Sequence, residues 1–151
     1  MLSASRDNVL TPLLSFLRQH IFVSGGSQGL GLALAKLLAS RGASVTICSR
    51  TQSKLDQALA EIEQASKPPH GKAHAGSVQS HRAIAADLSS FAGAKEALDK
   101  CAQVSVPDAI FCCAGGAKPG YFIEQTEQDF EAGLRTDYWT ALSTAHVSCL
   151  F

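Results

Sequence analysis

The sequence has no excess of charge of either sign. Its 151 residues include 13 lysines and arginines against 13 aspartates and glutamates. Nucleic-acid-binding domains usually carry a basic face, because contacts to phosphates supply most of their affinity. The balanced charge therefore argues against a nucleic-acid partner.

Long hydrophobic runs are absent near the N-terminus. The apolar patch from Val9 to Leu17 is broken by Pro12 and flanked by Arg6 and Arg18. It is too short to span a bilayer and lacks the cleavage site of a signal peptide. We predict a leader over residues 1–19 that packs on the domain as a short helix or frayed segment, with contact at a membrane surface as the alternative.

Cysteine pairs at C-x-x-C spacing are also absent. The chain has five cysteines, an odd number, and most of them lie in apolar segments where cysteine acts as a small hydrophobe. This pattern favours a reducing compartment. His70, His74 and His81 lie in or beside a Pro- and Gly-containing loop predicted over 66–80, but no cysteine or carboxylate accompanies them, so we predict no metal site.

A glycine-rich turn stands between an apolar run and a run of helix formers. Residues Ser24 to Gly31 read S-G-G-S-Q-G-L-G, an order typical of a phosphate-binding strand–turn–helix unit. Gly25 permits the turn, Gly29 lets the backbone approach a pyrophosphate, and Gly31 lets the helix lie close to the strand. The helix N-terminus then faces the phosphates. The predicted cofactor contacts from this turn are Gly25, Ser27, Gln28, Gly29, Leu30 and Gly31.

Strand and helix patterns alternate along the rest of the chain. The predicted strands are 21–23, 45–48, 83–86 and 109–113, and the predicted helices are 28–40, 51–65, 91–103 and one that begins with a T-E-Q-D capping box at Thr126. This alternation predicts an α/β fold: a Rossmann-type, doubly wound parallel sheet represented by its first four strands, in one domain over 20–151.

The residues after the second strand bear on the choice of cofactor. A carboxylate at this place accepts hydrogen bonds from a ribose 2′-hydroxyl and repels a 2′-phosphate. The sequence instead has Ser49 and Arg50, with Lys54 one helical turn further on. A guanidinium can hold a phosphate with two parallel hydrogen bonds, so NADPH is favoured over NADH. The alternative is that Arg50 only solvates a loop.

The ends of the third and fourth strands complete the predicted site. Asp87 can accept a hydrogen bond from the adenine amino group while Leu88 packs on the ring; alternatively, Asp87 caps the helix that follows Ser89. Cys113, Ala114 and Gly115 would bring small side chains and bare backbone near the ribose and nicotinamide.

Together these segments resemble the short-chain dehydrogenase/reductase family. S-G-G-S-Q-G-L-G is similar to the family's T-G-x-x-x-G-x-G pattern, with Ser24 in the threonine position, and C-A-G-G stands where the family usually has N-A-G. The matches extend from about His20 onward. The glycine turn with its helix, and the run F-C-C-A-G-G-A, resemble most closely the branch of this family that reduces ketosphingoid bases.

The resemblance implies an oxidoreductase that uses NADPH to reduce a lipid ketone in sphingolipid synthesis. It also implies a site at the cytosolic face of the endoplasmic reticulum membrane and a homodimer or tetramer for the full-length protein. Another carbonyl substrate, or a non-catalytic NADPH-binding module, remains the alternative.

Two positions depart from the family pattern. Asp137 falls near the family's structural asparagine and brings a charge that the amide lacks. The family's catalytic serine and Y-x-x-x-K pair are not found, since Gln125 follows Tyr121 by four positions and Leu142 follows Tyr138. We therefore assign no catalytic residue and expect the chain to be an N-terminal piece with negligible turnover.

Overall fold

A computed structural model describes residues 16–67 and 79–151. The strands and helices, with a 3₁₀ turn before α4 and a π turn after it, are β1 (His20–Ser24), α1 (Gly29–Ser40), β2 (Ser44–Ser49), α2 (Gln52–Ser66), β3 (Arg82–Ala85), α3 (Phe91–Ala102), β4 (Ala109–Cys112), the 3₁₀ turn (Phe122–Glu124), α4 (Glu127–Leu134), the π turn (Arg135–Trp139) and α5 (Thr140–Ser148). The sequence pattern predicted each strand, and each helix up to α3, because the apolar period changes clearly between them.

The four strands form one parallel sheet in the order β3-β2-β1-β4. Val23 of β1 pairs with Ile47 of β2 on one side and with Phe111 of β4 on the other. The chain thus winds outward from β1 to β3 and then returns to β4 beside β1. The predicted Rossmann-type fold is confirmed, and the winding reverses between β1 and β4, where ligands of such sheets bind.

Two apolar layers bury the sheet on both faces. Ile21 and Val23 of β1 pack with α1 and α2, whereas Phe22 packs with α3 and α5. This alternation follows from the period of two in a strand, and all five residues of β1 are buried. A strand covered on both faces gives a fixed support for the turn that follows Ser24.

Two of the cysteines belong to this core. Cys48 and Cys101 are buried, and burial raises the pKa of the Cys48 thiol to about 12. Burial raises the pKa of Cys101 as well. Both thiols therefore stay protonated and act as small apolar side chains. The sequence predicted this role for most of the cysteines, but Cys112 and Cys149 are exposed and Cys113 is only half-buried.

A buried histidine fixes the start of β1. The Nδ1 atom of His20 donates to the carbonyl of Ser105 at 2.9 Å, and its Nε2 accepts from the Thr46 hydroxyl at 2.8 Å. The backbone N–H of His20 donates to the Asp108 carboxylate at 2.7 Å. The bonds to Ser105 and Asp108 tie β1 to the segment that leads into β4. They lie at the amino ends of the strands, whereas the predicted site lies at the carboxyl ends.

Several sequence predictions fall partly or wholly outside the described residues. They concern most of the leader over 1–19 and most of the loop over 66–80, including His70 and His74. His81 is described: its Nδ1 accepts from the backbone of Val45 at 3.3 Å, and burial lowers its pKa. Within ranges 16–67 and 79–151, no group of three potential metal ligands is found, and no helix has the length and apolarity needed to cross a membrane.

The last predicted helix is interrupted. Thr126 and Asp129 form the predicted capping box, which starts α4. The helix then widens into the π turn Arg135–Trp139, where the Thr140 hydroxyl donates to the carbonyl of Arg135 at 3.3 Å. The helix predicted to start at Thr126 is therefore present, but the sequence did not predict the π turn within it. A π turn of this kind often occurs at functional sites.

Candidate functional site

All four strands end at one cavity of about 380 Å³. The structure brings every predicted cofactor contact to its wall: Gly25, Ser27, Gln28, Gly29, Leu30, Gly31, Ser49, Arg50, Lys54, Asp87, Leu88, Cys113, Ala114 and Gly115. These residues come from four separate parts of the chain, and the parallel sheet aligns the carboxyl ends of its strands at one edge. The cavity has the size typical of small-molecule sites.

The glycine turn packs tightly on the neighbouring strand ends. Gly25 has a φ of +67°, and its N–H donates to the carbonyl of Cys48 at 2.8 Å. A Cβ on Gly25 would lie 2.6 Å from the Cα of Ala114. A Cβ on Gly31 would overlap the carbonyl oxygen of Gly25. Gly31 therefore allows the helix to approach the turn itself, a closer contact than the predicted one with the strand.

The N-terminus of α1 is open toward the cavity. Its N-cap residue Gln28 makes no side-chain capping hydrogen bond, and the first turn carries no acidic residue. Gly29 has a φ of +58°, and a Cβ there would meet no atom within 4 Å. Backbone N–H groups and the positive end of the helix are thus accessible to an anion, which is what a pyrophosphate would require.

Polar groups at the end of β2 have unmet bonding capacity. The Oγ atom of Ser49 is buried without a hydrogen-bond partner. Arg50 and Lys54 line the same wall, and the Lys54 ammonium donates to Oε1 of Gln28 at 3.1 Å. A buried hydroxyl without a partner calls for an explanation such as a bound ligand or water.

Asp87 does not cap α3. Its Oδ1 accepts from the N–H of Ser89 at 3.0 Å, and this bond, aided by the Ser89 side chain, lowers the pKa of Asp87. The N-cap of α3 is instead Ser90, whose Oγ accepts from the N–H of Gly93 at 3.1 Å. The capping alternative is therefore wrong, and the Asp87 carboxylate remains ionised at the cavity wall.

This division of roles predicts different effects of two alanine substitutions. Ser90→Ala should lower the free energy of unfolding by about 1 kcal/mol, the usual cost of losing an N-cap. Nucleotide affinity should change little, because Ser90 does not line the cavity. Chemical denaturation and nucleotide titration of the Ser90→Ala and Asp87→Ala variants, each compared with the unmodified chain, check these effects. If Asp87→Ala proved the more destabilising change, the role of Ser90 as the cap would be refuted.

The end of β4 is held by side chains from two other segments. The buried Oγ of Ser24 accepts from the N–H groups of Cys113 and Ala114, at 3.0 and 3.1 Å. The Asp137 carboxylate accepts from the N–H of Gly116 at 2.8 Å. Asp137 is exposed and, in this conformation, positions the loop after β4.

Seven lining residues were not predicted from the sequence: four adjoin predicted contacts, and three come from a segment that was not assigned to the site. The first four are Cys48, Thr51, Ala86 and Ser89. Arg135, Thr136 and Thr140 belong to the π turn and its C-cap, and all three reach the cavity. Nothing in their spacing differs from an ordinary helix, so the sequence offered no signal for them. With Arg50 and Lys54, Arg135 brings the cavity to three cations against the single carboxylate of Asp87.

The comparisons with known proteins support a family assignment. The sequence profile described as short chain dehydrogenase matches residues 19–147. The chain belongs to the short-chain dehydrogenase family. This match confirms the resemblance to the family that the glycine turn and the C-A-G-G segment indicate. It also confirms that the family is one of oxidoreductases.

Curated relatives point to one branch of this family. The chain is 36% identical over 134 residues to a protein of Cryptococcus neoformans named 3-ketodihydrosphingosine reductase TSC10, and 37% identical over 131 residues to the 3-ketodihydrosphingosine reductase ksrA of Aspergillus fumigatus. These matches cover 87% and 85% of the chain but only 37% and 34% of the relatives. The chain therefore spans about a third of their length.

Solved structures share the fold. A short-chain dehydrogenase of Burkholderia cenocepacia in complex with NADP superposes with a TM-score of 0.72 at 25% identity, over 87% of this chain and 49% of that one. A short-chain dehydrogenase/reductase of Mycobacterium marinum gives a TM-score of 0.79 at 18% identity, over 92% and 52%.

Proposed function

We propose that this chain is the cofactor-binding part of an NADPH-dependent reductase that converts 3-ketodihydrosphingosine to dihydrosphingosine. The observation that carries the choice of cofactor is the set of polar side chains at the end of β2: the buried Ser49 hydroxyl, which has no hydrogen-bond partner, beside Arg50 and Lys54. None of the ion pairs within ranges 16–67 and 79–151 uses either cation.

These three groups match the needs of a 2′-phosphate. Its oxygens are strong acceptors, and a guanidinium can donate to two of them at once. Ser49 supplies a hydroxyl donor, and Gln28 holds the Lys54 ammonium beside the glycine turn. No carboxylate is present at the end of β2 to accept from a free 2′-hydroxyl, as NADH would require.

The names of the relatives support the choice of substrate. The reductases from Cryptococcus neoformans and Aspergillus fumigatus are both named for the 3-keto sphingoid base. In this chain, the loop after β4 carries Tyr121, Phe122 and Ile123, which are 76%, 76% and 91% exposed. Such side chains suit contact with an alkyl chain better than contact with a small polar substrate.

In this proposal the residues of this chain bind and orient the cofactor. NADPH, when bound, supplies the hydride. The open N-terminus of α1 would hold the pyrophosphate, Ser49, Arg50 and Lys54 the 2′-phosphate, and Asp87 the adenine amino group. Cys113 to Gly115 would leave room for the nicotinamide ribose.

Transfer of a hydride to the ketone carbon leaves an alkoxide, which must then be protonated. The residues of this chain do not provide a proton donor for that step. Neither Tyr121 nor Tyr138 has a lysine four positions later. Loss of a general acid typically lowers a rate by roughly 10²- to 10⁴-fold. We therefore propose that these 151 residues alone bind NADPH without appreciable turnover.

A fluorescence titration tests the proposed cofactor. The chain should quench or enhance NADPH fluorescence on binding and should bind NADPH at least tenfold more tightly than NADH. The longer natural protein, incubated with NADPH and 3-ketodihydrosphingosine, should form dihydrosphingosine; binding without product would favour the non-catalytic module. Equal affinity for the two cofactors would refute the NADPH assignment, and turnover only of another ketone would refute the substrate.

The proposal extends to the place and assembly of the full-length protein. By analogy with the sphingolipid branch, we place it at the cytosolic face of the endoplasmic reticulum membrane, as a homodimer or tetramer. Imaging of a tagged full-length protein and sedimentation of the purified one would test these two points separately.

A further inference from the structure

The π turn after α4 places an arginine at the cofactor cavity. Arg135 is the first residue of this turn and lines the cavity together with Thr136 and Thr140. None of the ion pairs found in the described part of the chain includes Arg135. A cation at a cavity wall without a carboxylate partner is a candidate contact for a ligand.

The helix that carries Arg135 is fixed to the end of β3. The Oγ atom of Ser143 in α5 lies 2.6 Å from the carbonyl oxygen of Leu88, and its single proton is shared between that carbonyl and the carbonyl of Trp139 one turn earlier. Leu88 is buried and, with Asp87, forms the wall predicted to receive the adenine ring. Arg135 lies about two turns before Ser143 in a helical segment that runs from the π turn directly into α5.

The charge environment agrees with this placement. Arg50, from the end of β2, and Arg135, from the π turn, both lower the pKa of Asp87, although less than its hydrogen bonds to Ser89 do. The Asp87 carboxylate thus lies in the field of two guanidinium groups that reach it from different segments. Only one of them, Arg50, is adjacent to the place predicted for the 2′-phosphate.

We propose that Arg135 is a third cationic contact of the bound dinucleotide and lies against its adenine ring. A planar guanidinium stacks on aromatic faces and attracts their electron-rich surface. Asp87 would accept from the edge of the adenine while Arg135 covers its face. This inference rests on the proposed NADPH site, and it assigns Arg135 a role in adenine binding that does not depend on the 2′-phosphate.

Binding measurements on one substitution separate this role from that of Arg50. Arg135→Ala should weaken NADPH, NADH and adenosine 2′,5′-bisphosphate by the same factor, about fivefold, because all three contain adenine. Arg50→Ala should weaken only the two ligands that carry a 2′-phosphate. Arg135→Lys should remain weakened, since an ammonium keeps the charge but cannot stack as a planar group.

Arg41→Ala is the matched control. Arg41 is an exposed arginine at the C-terminus of α1, away from the cavity, and its removal should leave all three affinities unchanged. Circular dichroism melting of each variant shows whether the fold is retained. Arg135→Gln, which keeps the side chain as far as Cδ but removes the charge, replaces the alanine variant if that one does not fold.

Three results would overturn the inference. Unchanged affinities in Arg135→Ala would show that the side chain makes no contact. A loss confined to the 2′-phosphorylated ligands would assign Arg135 to the phosphate, and full rescue by lysine would indicate a simple charge effect on the pyrophosphate. If the unmodified chain bound neither NADPH nor NADH, the proposed function itself would be refuted. If the unmodified chain bound both and Arg135→Ala did not change the affinities, only the Arg135 contact would be refuted.

Discussion

Arg50→Asp is expected to abolish the preference of the chain for NADPH. The change removes a guanidinium from the end of β2 and places a carboxylate beside the proposed 2′-phosphate position. A hydrogen bond to a charged group contributes about 1.5–3 kcal/mol, and the new like-charge repulsion adds to its loss, so NADPH affinity should fall on the order of 100-fold. NADH affinity should hold or rise, because the new carboxylate can accept from the 2′-hydroxyl.

Fluorescence titration with both cofactors measures this switch. Arg41→Asp is the matched control: it makes the same change of charge at an exposed site outside the cavity. Raised ionic strength should weaken NADPH binding more in the unmodified chain than in Arg50→Asp, since screening acts on the phosphate contact. Equal losses for NADPH and NADH would show that Arg50 does not recognise the 2′-phosphate.

The fold could be predicted from the sequence because its strands and helices have different apolar periods. The run Ile21, Phe22, Val23 is covered on both faces and is therefore continuously apolar, as buried parallel strands are. The helix over Gln52–Ser66 instead buries Leu55, Ala58 and Ile62, which share one face. Glycine and proline positions marked the ends of these segments, so the bounds were predicted closely.

The site could be predicted only where it follows directly from a strand. Ser49, Asp87 and Cys113 each come at or just after the end of a strand, and the parallel topology brings such ends together. Arg135 reaches the same cavity from the interior of a helical segment. Its position depends on the wider π turn and on the bond from Ser143 to Leu88, neither of which is visible in the local sequence.

The packing contacts of the glycine turn could also not be predicted in full from the sequence. The sequence predicted that Gly25 permits the turn and that Gly31 lets the helix lie close to the strand, but it did not show which atoms these glycines contact. In the structure, Gly25 faces the backbone of Ala114 and Gly31 faces the carbonyl of Gly25. Gly26, which was not singled out, would place a Cβ 2.5 Å from the Cγ2 atom of Ile47. The contacts of Gly25 with Ala114 and of Gly26 with Ile47 arise from the pairing of β1 with β4 and β2 over long sequence separations, whereas the contact of Gly31 with Gly25 is local to the turn.

Gly25→Ala should therefore both destabilise the fold and eliminate tight cofactor binding. The left-handed φ of +67° costs an L-residue about 1–2 kcal/mol, and the new Cβ would press on backbone atoms of Ala114 that no rotamer change can move. Overpacking of this kind typically costs about 1–3 kcal/mol more. Separation of the turn from the end of β4 should also misplace the pyrophosphate and nicotinamide positions, with an affinity loss beyond about tenfold.

Gly29→Ala separates the two causes of this instability. Gly29 has a similar φ of +58°, but a Cβ at this residue meets no atom within 4 Å. In the absence of nucleotide it should therefore show the cost of the left-handed backbone alone, about 1–2 kcal/mol. Urea denaturation of the two variants measures the difference between their free energies of unfolding. This difference is the cost of the steric overlap between the new Cβ at Gly25 and the backbone of Ala114. If both variants lost the same stability, the close packing of β1 and β4 at Gly25 would be refuted, together with its role in keeping the two halves of the cofactor site together.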